Sequence, residues 1–145
     1  MRRIMTLNYT LIKAEHDFDT HVSTTVISTD IGLFSATSFC QKPDRKYESK
    51  YFGCRIAEWK AIRNYARTKR ALAKAEVNAL EKYANRMSHT RNFKETDYYN
   101  KLLNKEIAVA KEAVAKWERE IVMIGEVIKE EIAERDKSMA EVLKK

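Results

Sequence analysis

The sequence predicts an α+β, predominantly α chain: a small N-terminal antiparallel β element followed by two long antiparallel helices, a helical hairpin that assembles as an oligomer. Three observations carry that expectation. The 145 residues include one proline, Pro43, and three glycines, at 32, 53 and 125, which are too few turn formers for a compact all-β fold. A stretch dense in β-branched residues lies near the start of the chain. Two long stretches without breakers, with apolar residues at three- and four-residue steps, occupy the rest.

The elements follow in order, with residues 1–50 as the β element and residues 51–145 as the hairpin. Thr24, Thr25, Val26, Ile27, Ser28 and Thr29 read as a strand, Asp30-Ile31-Gly32 as a turn, and residues 33–40 as the returning strand. Residues 6–12 offer a third strand. A lone hairpin is marginal in water, so the sheet must pack on a helix or on another copy. After the Pro43 loop a helix is expected over about 54–88, with Ile56, Trp59, Ile62, Ala66, Ala73, Val77, Leu80, Ala84 and Met87 on one face. Its alanines favour helix and permit close approach of a neighbour. Residues 88–95 break the pattern, and Thr96 is a suitable N-cap for a second helix over about 97–143. There Leu103, Ile107, Ala110, Val114, Trp117, Ile121, Ile124 and Ile128 alternate in steps of four and three, a coiled-coil pattern. At 1.5 Å per residue the helices would run about 50 and 70 Å, far beyond a compact core of this chain length. Pairing across the 88–95 turn and assembly into a homodimer or higher oligomer are therefore expected.

Charge is concentrated. Residues 1–41 sum to −1, residues 42–74 to +8, and residues 75–145 to zero. One basic segment implies an anionic partner: a nucleotide, a nucleic acid, an acidic protein face, or acidic residues elsewhere in the assembly. No apolar run reaches the length of a membrane span, and Arg2 and Arg3 are not followed by the apolar stretch of a signal peptide. Together with two thiols, Cys40 and Cys54, read as reduced and structural, this places the chain in the cytoplasm.

Catalytic signatures are absent. There is no HExxH, phosphate-binding loop, GxSxG or CxxC. His16, His21 and His89 are scattered and read as surface or turn residues. Glu126, Glu130 and Glu134 read as a solvated acidic face, since no Glu-x-x-His accompanies them. No enzyme, cofactor or metal is expected. Two clusters could bind a ligand. Arg55, Trp59, Arg63 and Arg67 share a helical spacing at the start of the first helix; arginine grips phosphate bidentately and an indole stacks on a base. Alternatively Trp59 is core and the arginines are solvated. Arg91, Asn92, Phe93, Tyr98 and Tyr99, with His89, join a cation, an amide and three rings to a helix N-terminus, which presents free N–H groups to anions. Such a set also makes a protein hot spot.

The strings Thr24-Thr25-Val26-Ile27-Ser28, Gly32-Leu33-Phe34-Ser35-Ala36-Thr37-Ser38 with Cys40, and Phe52-Gly53-Cys54-Arg55-Ile56-Ala57-Glu58-Trp59-Lys60-Ala61 resemble a group of small bacteriophage proteins in which a β-hairpin runs into a glycine-started helix. The layout of the whole chain is similar to the Thoeris anti-defence sponge proteins. That resemblance implies a non-catalytic phage counter-defence protein of the host bacterial cytoplasm, which sequesters a cyclic nucleotide immune signal of the cyclic ADP-ribose type in pockets between subunits. Two alternatives stand beside it. One is an anti-CRISPR-like inhibitor that binds a host defence nuclease through the basic helix. The other is direct nucleic-acid binding by the +8 segment.

Overall fold

The structure, a computed structural model, describes residues 7–87 and 93–143. Three strands, β1 (Thr10–Asp17), β2 (Val22–Thr29) and β3 (Gly32–Phe39), form an antiparallel sheet in the order β1-β2-β3. A 3-10 helix (Lys42–Tyr47) carries the chain to helix α1 (Lys50–Met87), and helix α2 (Phe93–Leu143) completes it. The expected α+β class with a small sheet and long helices is what the chain adopts. Pro43 sits in the first turn of the 3-10 helix, where its missing N–H costs nothing, so the expected loop is a short helix instead. Helix α1 begins four residues earlier than expected and α2 begins at Phe93 rather than after Thr96.

The chain divides into two compact units, one of Met1–Tyr65 with Glu120–Lys145 and one of Ala66–Arg119. In the first unit, β2 is the central strand and alternates strictly: Ser23, Thr25 and Ile27 are buried while their neighbours are half-buried. The register sets Ile27 opposite Phe34 and Thr25 opposite Ala36, so one face of the sheet is covered. The closing turn runs Thr29 to Gly32, whose φ of 126° is open to glycine, and the Thr29 hydroxyl donates to the Gly32 carbonyl at 2.7 Å. The third strand lies at residues 10–17 rather than 6–12. A bulge between Leu11 and Lys13 shifts its register, which keeps Ala14 and His16 on the covered face opposite Thr25 and Ser23.

The first four turns of α1 lie along that face. The Thr25 hydroxyl donates to the Cys54 carbonyl at 3.0 Å, Asn64 Nδ2 donates to the Ser35 carbonyl at 3.3 Å, and the Tyr65 hydroxyl donates to Asp30 Oδ1 at 2.7 Å. Burial, with the Asp30 carboxylate, pushes Tyr65 up to about 12. Ala57 and Ala61, on the same stripe as Gly53, Asn64 and Tyr65, are fully buried, so the alanines expected to admit a close neighbour do so. Ile56, Ile62, Ile124, Val127 and Ile128 complete this core. Each such aliphatic side chain contributes about 1.5–3 kcal/mol on burial.

The closest approach is at Gly53. A Cβ there would lie 2.1 Å from Ser23 Oγ and 3.0 Å from Ser23 Cβ. Gly125, inside α2, has nothing within 4 Å of the same position. Gly53→Ala is therefore expected to lower stability by about 1–3 kcal/mol through overpacking, whereas Gly125→Ala should raise it by up to about 1 kcal/mol through helix propensity. Urea unfolding of the two variants checks this. Equal shifts in one direction would contradict the packing at Gly53.

Candidate functional site

Among the described residues the first unit holds a cleft of about 270 Å³. Six elements supply its walls: His16 of β1, Ser23 of β2, Ser38 to Gln41 at the end of β3, Asp44 of the 3-10 helix, and Phe52, Gly53, Ile56 and Lys60 of α1 facing Ile132, Arg135 and Asp136 of α2. These are brought together by the covered face of the sheet and by α1 lying across it.

One wall is fixed by a buried polar chain. The Ser23 hydroxyl and His16 Nδ1 are 2.7 Å apart, and His16 Nε2 bonds Glu48 Oε2. The other Glu48 oxygen bonds His21 Nδ1 at 2.5 Å. A carboxylate only accepts, so both histidine nitrogens facing it carry protons, and Ser23 Oγ lies within hydrogen-bond distance of the other His16 nitrogen. The His16 side chain is 2% exposed and that of Glu48 5%. His16 is thus no surface residue, contrary to the sequence expectation; residues 16 and 48 are too far apart in sequence for spacing to link them. His21 does sit in a turn, with φ of 62°, and Asp17 Oδ1 closes that turn by accepting from the N–H groups of Asp19 and Thr20. The Ser23–His16–Glu48 order is that of a nucleophile relay. Ser23, however, is 1% exposed and lies against Gly53, so its hydroxyl orients the ring.

Charge in the cleft is mixed. Arg135 stacks over the Phe52 ring at 4.6 Å and stands 4.0 Å from Asp44. Lys60 has no ion-pair partner among the described residues; burial, and then the charge of Arg63, hold its ammonium below the ordinary lysine value. The Cys40 thiol is pushed up, first by burial and then by the Glu48 carboxylate. Both cysteines are free, and among the described residues no grouping of side chains could hold a metal ion.

The residues singled out from sequence fall elsewhere. Arg55 donates from Nε to Glu131 Oε2 at 2.7 Å, a strong ion pair within the first unit. Trp59 is half-buried and does not line the cleft, and Arg63 touches it only through its charge on Lys60. Arg67 is exposed on the second unit. Tyr98, 66% exposed, also belongs to the second unit. Arg91 and Asn92, with His89, lie outside the described residues, as do the side chains of Phe93 and Tyr99. The basic segment is partly neutralised by acidic residues of α2, through Arg55–Glu131 in one unit and Lys74–Glu118 in the other. Sequence reasoning missed Lys60, Arg135, Phe39 and Phe52. The one signal available was that Lys60 lies in the basic helix one residue beyond Trp59. Comparison with protein-family models, with curated proteins and with solved structures finds no match. No helix among the described residues is long and apolar enough to cross a membrane.

The hydrogen bond from His16, with that from His21, holds the Glu48 carboxyl below its ordinary value of 4.5. A lowered carboxyl stabilises the fold fully above its unfolded value, and that contribution is lost as pH falls through the folded value. Stability of the protein should therefore drop between about pH 5 and pH 3 more steeply than that of Glu48→Gln. Chemical denaturation of both across that range measures it. Parallel curves would show that Glu48 carries no such linkage.

Proposed function

We propose that the protein is a non-catalytic nucleotide binder of the counter-defence sponge kind, which sequesters a cyclic nucleotide signal of the cyclic ADP-ribose class in the cleft of the first unit. The observation that carries this reading is Lys60: a half-buried ammonium with no ion pair among the described residues, lining a cleft that also presents Arg135 and the rings of Phe39 and Phe52. Burying a cation without a partner is unfavourable, and a phosphate would supply the partner. The same cleft offers Asp44 and Asp136 as acceptors for ribose hydroxyls or a base amino group, and Gln41 as donor and acceptor. Its volume of about 270 Å³ falls just below the usual range of ligand sites and suits only one nucleotide half of such a signal. The resemblance to the anti-defence sponges supports the choice of ligand class. The site differs from both sequence clusters: the arginine–tryptophan set at the start of α1, and the set of Arg91, Asn92, Phe93, Tyr98 and Tyr99, which lies mostly outside the described residues.

The test is calorimetric titration of the full chain with cyclic ADP-ribose isomers and with a panel of cyclic mono- and dinucleotides. Saturable binding to at least one member is expected, weakened about tenfold or more in Lys60→Gln, as for loss of one charge-assisted contact. No heat and no thermal shift across the panel would overturn the reading.

A further inference from the structure

The second unit, residues 66–119, consists of two helical arms whose seam is only partly dry. On α1 the seam residues Ala73, Val77, Leu80 and Ala84 are all half-buried; on α2 Leu103 and Ala110 are buried but Ile107, Val114 and Trp117 are half-buried. These steps of four and three set a heptad on each arm. Ion pairs Lys74–Glu118, at 3.8 Å, and Glu81–Lys111, at 3.5 Å, close one flank of the seam. Each of the four residues follows a seam position by one. A shallow hollow on that side is rimmed by Lys74, Asn78 and Lys111, so the flank is polar.

The other flank is apolar and open. Leu72 and Tyr83 of α1 are 52% and 54% exposed, and Leu102 and Val109 of α2 are 43% and 71% exposed. By heptad position all four lie on the side away from the ion pairs, where the small residues Ala79 and Ala113 also lie. The polar residues on this side, past Lys69 at the base of the arm, fall in a pattern: Glu76 then Arg86 along α1, Glu106 then Lys116 along α2. The ion pairs fix which residues stand level. Tyr83 is level with Val109, Ala79 with Ala113, Glu76 with Lys116, and Arg86 with Glu106.

We propose that the stretch of this flank from Glu76 to Arg86 on α1 and from Glu106 to Lys116 on α2 is a homodimer face, covered by the same stretch of a second copy. Self-complementarity is the reason for choosing that occupant. A two-fold axis perpendicular to the arms, at the level of Glu81 and Lys111, sets Glu76 against the partner's Arg86 and Glu106 against the partner's Lys116. It also lays Tyr83 on the partner's Ala79 and Val109 on the partner's Ala113, so large side chains meet small ones. No like charges face each other. A two-fold axis along the arms would set Tyr83 on the partner's Val109 and leave alanine facing alanine, which packs poorly. The dimer places four helices around the half-buried seam. It does not depend on the cleft of the first unit binding anything.

Sedimentation velocity of the full chain at about 50 µM, a concentration that detects micromolar association, reads the outcome. A dimer is expected. Val109→Glu should give a monomer with unchanged helical circular dichroism. Glu76→Arg should weaken the dimer about tenfold or more by facing two cations, and adding Arg86→Glu to the same chain should restore it. A monomeric parent protein, a Val109→Glu variant that remains dimeric, or failure of Arg86→Glu to rescue Glu76→Arg would each overturn the proposal. The paired charge reversal keeps the test decisive if Val109→Glu fails to fold.

Discussion

A carboxylate sealed inside a small protein must be satisfied on both oxygens or it will destabilise the state that encloses it. Glu48 meets that demand with one histidine from β1 and one from the turn that follows it, and in doing so fixes where the segment after the 3-10 helix can pass. Three separate parts of the chain are committed by it: the end of β1, the turn that carries His21 in a left-handed conformation, and the residues immediately before α1. Once α1 starts from that point, Gly53 comes down on Ser23, and the following turns find Thr25, Ser35 and Asp30 in sequence. The cleft is the space left between this fixed corner and α2.

Electrostatics divides the labour along α1. Its basic excess reads from sequence as one patch, yet Arg55 and Lys74 are each engaged by a glutamate of α2. Glu131 is buried, and its Oε1 has no hydrogen-bond partner among the described residues, so the Arg55 pair serves to keep a necessary charge satisfied on one side. What remains for a ligand is narrower than the sequence suggests. It centres on the cation that structure pulls out of water, Lys60, rather than on the arginines that surround it in sequence.

Periodicity made most of the fold legible. The β-branched run and the Asp30-Ile31-Gly32 turn located β2 and β3, because a two-residue period with a covered face leaves few registers. The step of four and three located both helices. Strand β1 was harder, since the bulge at residue 12 breaks its alternation and the inner positions are Ala14 and His16 rather than large apolar residues. The buried Glu120 and Glu131 were invisible for a related reason: both interrupt an apolar stripe and look like solvated charge until the neighbouring element is known. The site was the least legible part. Its residues come from six elements. Phe52, Ile56 and Lys60 among them share a helical spacing, but Arg55, Trp59 and Arg63 form such a spacing too and yet do not line this cleft. Helical spacing groups residues on a face; it does not say whether that face meets water, a glutamate or a hollow.

The constant register of the ion pairs has a consequence for how such a chain can change over generations. Lys74 with Glu118 and Glu81 with Lys111 are separated by seven residues on each arm. Removing or adding one such block from both arms at once would return every flank residue to an equivalent neighbour, leaving Met1–Tyr65 and Glu120–Lys145 as they are. Change in a single arm would throw the whole seam out of phase. Length in this region can therefore change without loss of register only in paired sevens, and relatives of differing size should be recognisable by gaps that come in twos.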